Sequence, residues 1–520
     1  MPPTLPPLAA LFLTHFHELK GQEVVYYASL SDDLQAGLIE HTSLPSGMHL
    51  RDTDLVVFSH HGLPGAGLFR SRVLEGEGAG RGRRMGTLGV VLAPPGSPDD
   101  VFDLATPLED LYDKLEGVDN PFSTDDPDGP AVKALLDSVW ESLRAKTSDA
   151  PALQTATTVA LRLSRGMSPA HPATYFSALL AMLGPTIITV YKASLSGQRI
   201  LLYAPPPLLP LAAFAWCIWA MGLPPSSAAT GGARSSTWLG QIGLMDMDSV
   251  KKRHSGWVAT TSDLMYKSHT DAYDVLIDFS ASLPKDDSDV RSPTTPPVAP
   301  TVLVTTPNDK DTRAKPTTTS ATYAFKDLAL YRSLVLLDQS PRGVHAETVG
   351  FSATSRAGGM WLIVFEMLER IWNLCVGVCE FALGRGQVGH IALDDDDIDQ
   401  DSARHLLGAD LVGDEDDEED DDDDDEPLSG DRVPDDLARR GRLILDQFHH
   451  NAYHLYARLV SQAAGNWELT DADVRQLTGA SRLSPWGGRE STEGRYWLAL
   501  ARAWNVEPSV ADEGSEGEDS

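Results

Sequence analysis

Residues 394–426 hold 20 acidic side chains against the single Arg404. A run of like charges this dense cannot bury itself, so it reads as a solvated, disordered spacer, with recruitment of a basic partner as the alternative. Whatever core the chain builds must therefore be assembled from the segments on either side. The tail, residues 507–520, adds six more acids, so these two stretches carry 25 of the 33 net negative charges. The remainder of a chain with 42% hydrophobic residues is ordinary for a globular protein, and at 520 residues it is too long for one core. No nucleic-acid partner is expected of this charge balance.

Upstream of the spacer the pattern is short apolar runs separated by turn residues: LFLTHF, VVYYASL, DLVVFSHH, GLFRSRVL and TLGVVLAP. Their spacing and β-branched content predict strands. TPLEDLYDKLEG follows with helical spacing and Thr106 as its expected cap. A small α/β module over residues 8–120 fits. After the polar break NPFSTDDPDGP, a helix over 131–145 opens a second module, 131–282. Within it, strands are expected over 186–192, 199–203, 257–260 and 272–279, and a helix from Leu208. Residues 283–322 are dense in Pro, Thr, Ser and Asp and read as a disordered linker. Residues 323–393 and 427–506 read as one helical region interrupted by the acidic insertion. It carries an amphipathic stripe over 360–383, a second at Ile444, Phe448, Ala452, Leu455 and Leu459, and a short helix over 495–504. The fold class is thus α/β plus α.

The apolar run 208–221 is too short to span a bilayer, and 360–383 carries Glu366, Glu369, Arg370 and Glu380, each expensive in hydrocarbon. The start lacks the basic flank of a secretory signal. With only Cys217, Cys375 and Cys379 there is no disulfide framework, and a reduced, cytoplasmic setting is expected.

No catalytic constellation emerges, and no cofactor or metal is expected. GEGAGRGRR lacks both GxGxxG and the lysine of a phosphate loop. Arg81, Arg83 and Arg84 read as an exposed basic loop, with a transition-state arginine as the sharper alternative. His60, His61, His449, His450 and His454 read as surface histidines; His450 and His454 have metal-ligand spacing but no third ligand. Cys375 and Cys379 read as buried thiols. Ser509 and Ser515 precede acids by three positions, and Ser292 and Ser340 precede prolines, which makes the four candidate phosphorylation sites.

LFLTHFHELKGQEVVYY, DLVVFSHHGLPGAGLFRSR and GRGRRMGTLGVVL resemble the N-terminal module of DENN-domain proteins of the LCHN type. GPTIITVYKASLSGQRILLYAPPPLLPL is similar to the central strand pair that precedes a helix in that family. WVATTSDLMYKSHTDAYDVLIDFS resembles its threonine-aspartate segment. The resemblance covers roughly residues 8–282 and implies a fungal-type tripartite layout: a longin-like upstream module, a central α/β module and a helical downstream module. It further implies a Rab GTPase partner and guanine nucleotide exchange without covalent chemistry. Membrane contact would be peripheral and indirect, on endosomal or Golgi membranes. Alternatives are a non-catalytic trafficking scaffold, or a GTPase-activating protein with Arg83 or Arg84 as its finger. The resemblance assigns no GTPase-contact residue.

Overall fold

The computed structural model describes residues 5–17, 19–73, 83–118, 129–145, 154–164, 166–253, 255–283, 298–306, 316–324, 326–339, 432–463, 469–479 and 488–506. Five strands come first: β1 (Leu8–His17), β2 (Gly21–Ser29), β3 (Thr53–His60), β4 (Leu63–Val73) and β5 (Arg83–Leu92). They form an antiparallel meander in the spatial order β3-β4-β5-β1-β2. The β3–β4 hairpin closes through His61 and Gly62, both at positive φ, 50° and 82°. Such a pair twists with its strands, as a two-residue hairpin requires. α1 (Ile39–Ser43) sits in the β2–β3 connection, and α2 (Ala105–Glu116) covers one sheet face with Leu108, Leu111, Tyr112 and Leu115. That helix starts one residue before the expected cap Thr106, and no side chain caps it. The preceding 3-10 turn Asp100–Leu104 feeds directly into it, so its first amides are already inside a turn.

α3 (Pro130–Leu143), expected to open the second module, rests on the first sheet instead. Ala145 N–H donates to the Leu8 carbonyl (2.9 Å), and the Tyr26 hydroxyl donates to Asp137 (2.9 Å). Its inward face, Val132, Leu136 and Trp140, matches the apolar face of β1 and β2.

The chain continues through α4 (Ala156–Ser164), α5 (Phe176–Leu183), α6 (Thr186–Leu195), β6 (Arg199–Tyr203), α7 (Leu209–Met221), α8 (Ser226–Thr230), β7 (Thr237–Gln241), α9 (Met247–Lys251), β8 (Trp257–Thr261) and β9 (Val275–Asp278). β6 runs parallel to β8 and β9, and β7 parallel to β8. The expected strand over 186–192 is α6. Its β-branched residues suggest a strand, yet Ile187, Val190, Tyr191 and Ser194 recur at three and four and are buried among helices, so packing overrides propensity. The expected strand over 272–279 is only Val275–Asp278. α7 buries every side chain from Leu211 to Met221, as a helix that is apolar all round must. It lies against β3, β7 and β8, so it spans both parts of the sheet. Burying Phe214, Trp216 and Trp219 contributes about 2 kcal/mol each.

Residues 283–322, expected to be a linker, contain β10 (Thr301–Thr306) and β11 (Thr317–Ser320). β10 pairs antiparallel with β9, and β11 with β10. Backbone pairing, together with burial of Val302, holds a segment whose composition alone argues for disorder. All eleven strands join one mixed sheet, β11-β10-β9-β6-β8-β7-β3-β4-β5-β1-β2. The antiparallel meander β1–β5 meets the rest of the sheet at a single backbone pair, Phe58 with Gly240.

Among the described residues four more helices follow: α10 (Asp327–Asp338), α11 (Arg432–Ala463), α12 (Asp471–Thr478) and α13 (Thr492–Ala503). Of the expected stripe, Ile444, Phe448, Ala452 and Leu459 are fully buried and Leu455 is half-buried. Phe448 packs on Tyr191 and Phe176, with ring centroids 4.8 and 6.5 Å away. The Tyr191 hydroxyl donates to the Phe448 carbonyl at 2.9 Å. Residues 1–344 and 433–520 belong to one compact unit. The stripe over 360–383, Cys375, Cys379, Arg81, the acidic insertion, the tail and Ser292, Ser340, Ser509 and Ser515 lie outside the described residues. Among the described residues no helix is long and apolar enough to cross a membrane.

Candidate functional site

The carboxyl ends of the parallel strands β6, β7 and β8 all reach the same edge, which is where ligands bind in open sheets of this kind. The loop that follows α1, from the antiparallel part, is tied to that edge. The Ser262 hydroxyl donates to the Ser46 carbonyl (2.8 Å), and the Ser46 hydroxyl donates to the Asp263 carboxylate. Gly47 sits at φ +89°, where a Cβ would lie 3.0 Å from Pro206 on the segment leaving β6. The loop is fastened from behind as well: Gln22 donates to the Leu44 carbonyl (2.7 Å) and contacts His41 Nδ1 through its side-chain oxygen (2.5 Å).

Two short turns project from this edge. After β7 comes Gly243-Leu244-Met245-Asp246, and after β8 comes Asp263-Leu264-Met265-Tyr266. The Tyr266 hydroxyl ties them together by donating to the Gly243 carbonyl at 2.9 Å. Gly243 N–H donates to the Asp246 carboxylate (2.9 Å), which closes the first turn. Burial raises the Asp246 carboxyl above the usual range. Within these rigid turns the apolar side chains face outward: Leu244 is 47% exposed, Met245 55%, Leu264 63% and Met265 53%. Leu38, just ahead of α1, and Leu50, just beyond the Ser46 loop, are exposed too. Scattered exposed leucines need no explanation, but paired Leu-Met dipeptides on adjoining braced turns form a local apolar surface of the adaptable kind that partner proteins use. Their signal is present in the sequence as a repeated LM after a strand, yet only the parallel pairing of β7 with β8 places the two copies side by side.

The seam beside this surface is narrow. Gly240 is at φ +62°, and a Cβ there would stand 2.7 Å from both Phe58 Cα and the Val57 carbonyl oxygen. Asp54 bridges the two parts from inside. Its buried carboxylate accepts from Leu208 N–H (2.7 Å) at the start of α7 and from Leu55 N–H (2.9 Å). Burial pushes its pKa up to about 6 in spite of those donors.

The arginine candidates lie elsewhere, at the far end of the β4–β5 hairpin. Arg83 pairs with Asp52 and donates to Ser71 (2.9 Å). Arg84 is the next residue on β5 and therefore lies on the opposite sheet face, where it acts electrostatically on Tyr112 of α2. On that face Arg70 is buried under Tyr112, 4.7 Å from the ring, and bonds Asp113 (2.5 Å) and Glu116 (3.0 Å). The hairpin arginines thus serve a charge lattice with α2 and Asp52.

The histidines divide. His60 is buried rather than on the surface: its Nε2 contacts the Gln35 carbonyl (2.8 Å), and burial lowers its pKa to about 4. His449 is buried too, with Nε2 on the Ala220 carbonyl (2.9 Å) and its pKa lowered to about 4 by burial. His61, adjoining His60, is exposed, and on α11 His450 is half-buried and His454 exposed. Among the described residues no group of three His, Cys, Asp or Glu could hold a metal.

The sequence pattern of DENN domain-containing protein 11 matches residues 11–289, a stretch that contains both Leu-Met turns and the seam. The DENN domain-containing protein 11 of Xenopus laevis is 26% identical over 292 residues, covering 52% of this chain and 59% of that protein. The proteins of the same name from Rattus norvegicus and Mus musculus are 22% identical over 278 residues, 52% of this chain and 57% of theirs. The matched stretch thus spans somewhat over half the length of these relatives.

Proposed function

This chain belongs to the DENN domain-containing protein 11 family, and on that premise we propose that it is a guanine nucleotide exchange factor, or Rab-binding regulator, for a Rab-type GTPase in vesicle trafficking. In this reading the longin-like, central and helical parts keep the tripartite roles that the family likeness implies. The GTPase docks on Leu244, Met245, Leu264 and Met265, with Leu38 and Leu50 completing the contact across the seam. Exposure of those paired turns at the carboxyl edge of the sheet is the observation that carries the proposal.

Exchange of this kind needs no acid, base or nucleophile. A protein that binds the opened GTPase more tightly than the closed one weakens nucleotide binding by the same coupling free energy. What the site must supply is a preformed apolar platform, and the Tyr266–Gly243 and Ser46–Ser262 bonds supply its rigidity. Contact with membranes would be peripheral, through the GTPase.

The test is release of a fluorescent GDP analogue from a panel of purified Rab proteins, with the full-length chain, at fixed salt. Acceleration is expected for one or two members. The double substitution L264D/M265D should reduce it at least tenfold, since charge buried in an apolar contact costs well over 1.4 kcal/mol, while L336D on α10, also at an exposed leucine, should not. Binding without acceleration would make the protein a scaffold. Accelerated GTP hydrolysis lost in R83A or R84A would make it an activating protein. Full activity in L264D/M265D would remove the docking assignment.

A further inference from the structure

We propose that His450 and His454 form a two-imidazole site for a borderline first-row dication, Zn2+, Cu2+ or Ni2+, on the outer face of α11. The two residues are one helical turn apart and therefore share a face. Spacing alone does not show that both rings turn the same nitrogen toward a common point, and here they do. The Nε2 atoms are 2.7 Å apart, with ring centroids at 4.3 Å and planes nearly perpendicular. At that separation one nitrogen holds a proton and the other presents its lone pair. A dication takes the place of that shared proton. With metal–nitrogen bonds of about 2.0–2.1 Å and an angle between 90° and tetrahedral, the two nitrogens stand about 2.8–3.4 Å apart. Ring rotations of a few tenths of an ångström reach that from 2.7 Å, with no backbone change.

Asp446, one turn earlier on the same face, is engaged by Arg442 at 3.6 Å, which leaves the rings as the site's donors. His454 is exposed, so a cation enters from solvent and water fills its remaining positions. Two nitrogen donors select borderline metals over Mg2+ and Ca2+, which prefer oxygen. That preference separates the site from the carboxylates of the acidic run at 394–426, which offer oxygen only; the run's one imidazole, His405, is removed together with them in the deletion used below. Because the donors lie on successive turns, bound metal ties those turns together and stabilises the helical form by mass action.

The experiment is Cu2+ titration of the full-length protein followed by electron paramagnetic resonance, with excess Ca2+ present to occupy carboxylates. The expected spectrum shows one equivalent of copper with nitrogen hyperfine coupling. Copper affinity should fall at least tenfold in H454Q and equally in H450Q, and deletion of residues 394–426 should leave it unchanged. As a second readout, Zn2+ should slow amide hydrogen exchange in α11 of the wild type and not of H454Q. His454 is exposed, so H454Q should keep the wild-type circular dichroism. Oxygen-only ligation, or nitrogen coupling that persists in the H450Q/H454Q double variant, overturns the assignment.

Discussion

Replacing Gly240 by alanine tests whether the two parts of the sheet are held where the geometry places the seam. Two costs are expected. A non-glycine residue in the left-handed region at φ +62° loses about 1–2 kcal/mol. The new methyl would also stand 2.7 Å from Phe58 Cα and the Val57 oxygen, both backbone atoms that move only if β3 moves, and overpacking of this kind costs about 1–3 kcal/mol. The sum is about 2–5 kcal/mol. Gly62 provides the comparison: its φ is +82°, and nothing lies within 4 Å of an added Cβ, so G62A carries the dihedral cost alone. Urea unfolding followed by circular dichroism measures both. With a denaturant slope on the order of 3 kcal/mol per molar, G240A should lower the midpoint by about 1 M and G62A by about half of that. Because the seam supports the Leu-Met turns, G240A should also slow GDP release in the exchange assay. Equal midpoints for G240A and G62A would refute the reasoning, since the overlap would then cost nothing and the seam would not be held at Gly240.

Other consequences concern the buried charges and the core. His449 has a folded pKa of about 4 against 6.5 unfolded, so protons bind the unfolded chain first, and stability present above pH 6.5 falls as the pH drops. Between pH 6.5 and 5 the share of His449 in the loss is about 2 kcal/mol, and His60, lowered to about 4 as well, adds a like share, so H449Q should remove about half of this acid slope; an unchanged slope would contradict it. Asp54 works in the opposite sense. Its folded pKa of about 6 exceeds the unfolded 3.8, so its contribution weakens as pH rises from about 4 to 6, by about 3 kcal/mol, and D54N should lack this slope in the same titration. F448A should cost about 3–5 kcal/mol by emptying the space against Tyr191 and Phe176, which chemical denaturation would show as a lowered midpoint.

The antiparallel strands β1–β5 are legible because each is a single apolar run bounded by turn residues, and so is the buried stripe of α11, whose period is its own evidence. What the sequence hides is what neighbours decide. TIITVYK looks like a strand until α7 and α11 surround it, and the threonine-rich β10 and β11 exist because β9 offers them an edge. β7, only TWLGQ, is too short to announce itself, and Gly240 within it is a glycine like any other until Phe58 is opposite. The candidate surface was hidden for the same reason: LM occurs twice in plain view, but adjacency comes from parallel pairing of strands that are separated in sequence.

The bond from Tyr191 to the Phe448 carbonyl spans 257 residues. During synthesis at about 5–20 residues per second, α6 and the apolar flank of α7 leave the ribosome about 10–50 seconds before the helix that covers them has been made. The nascent chain therefore carries a bare face of Tyr191, Phe176 and their neighbours while the acidic insertion between is being translated. That interval makes the upstream part a client for holding chaperones, and it exposes any truncation before residue 448 to degradation.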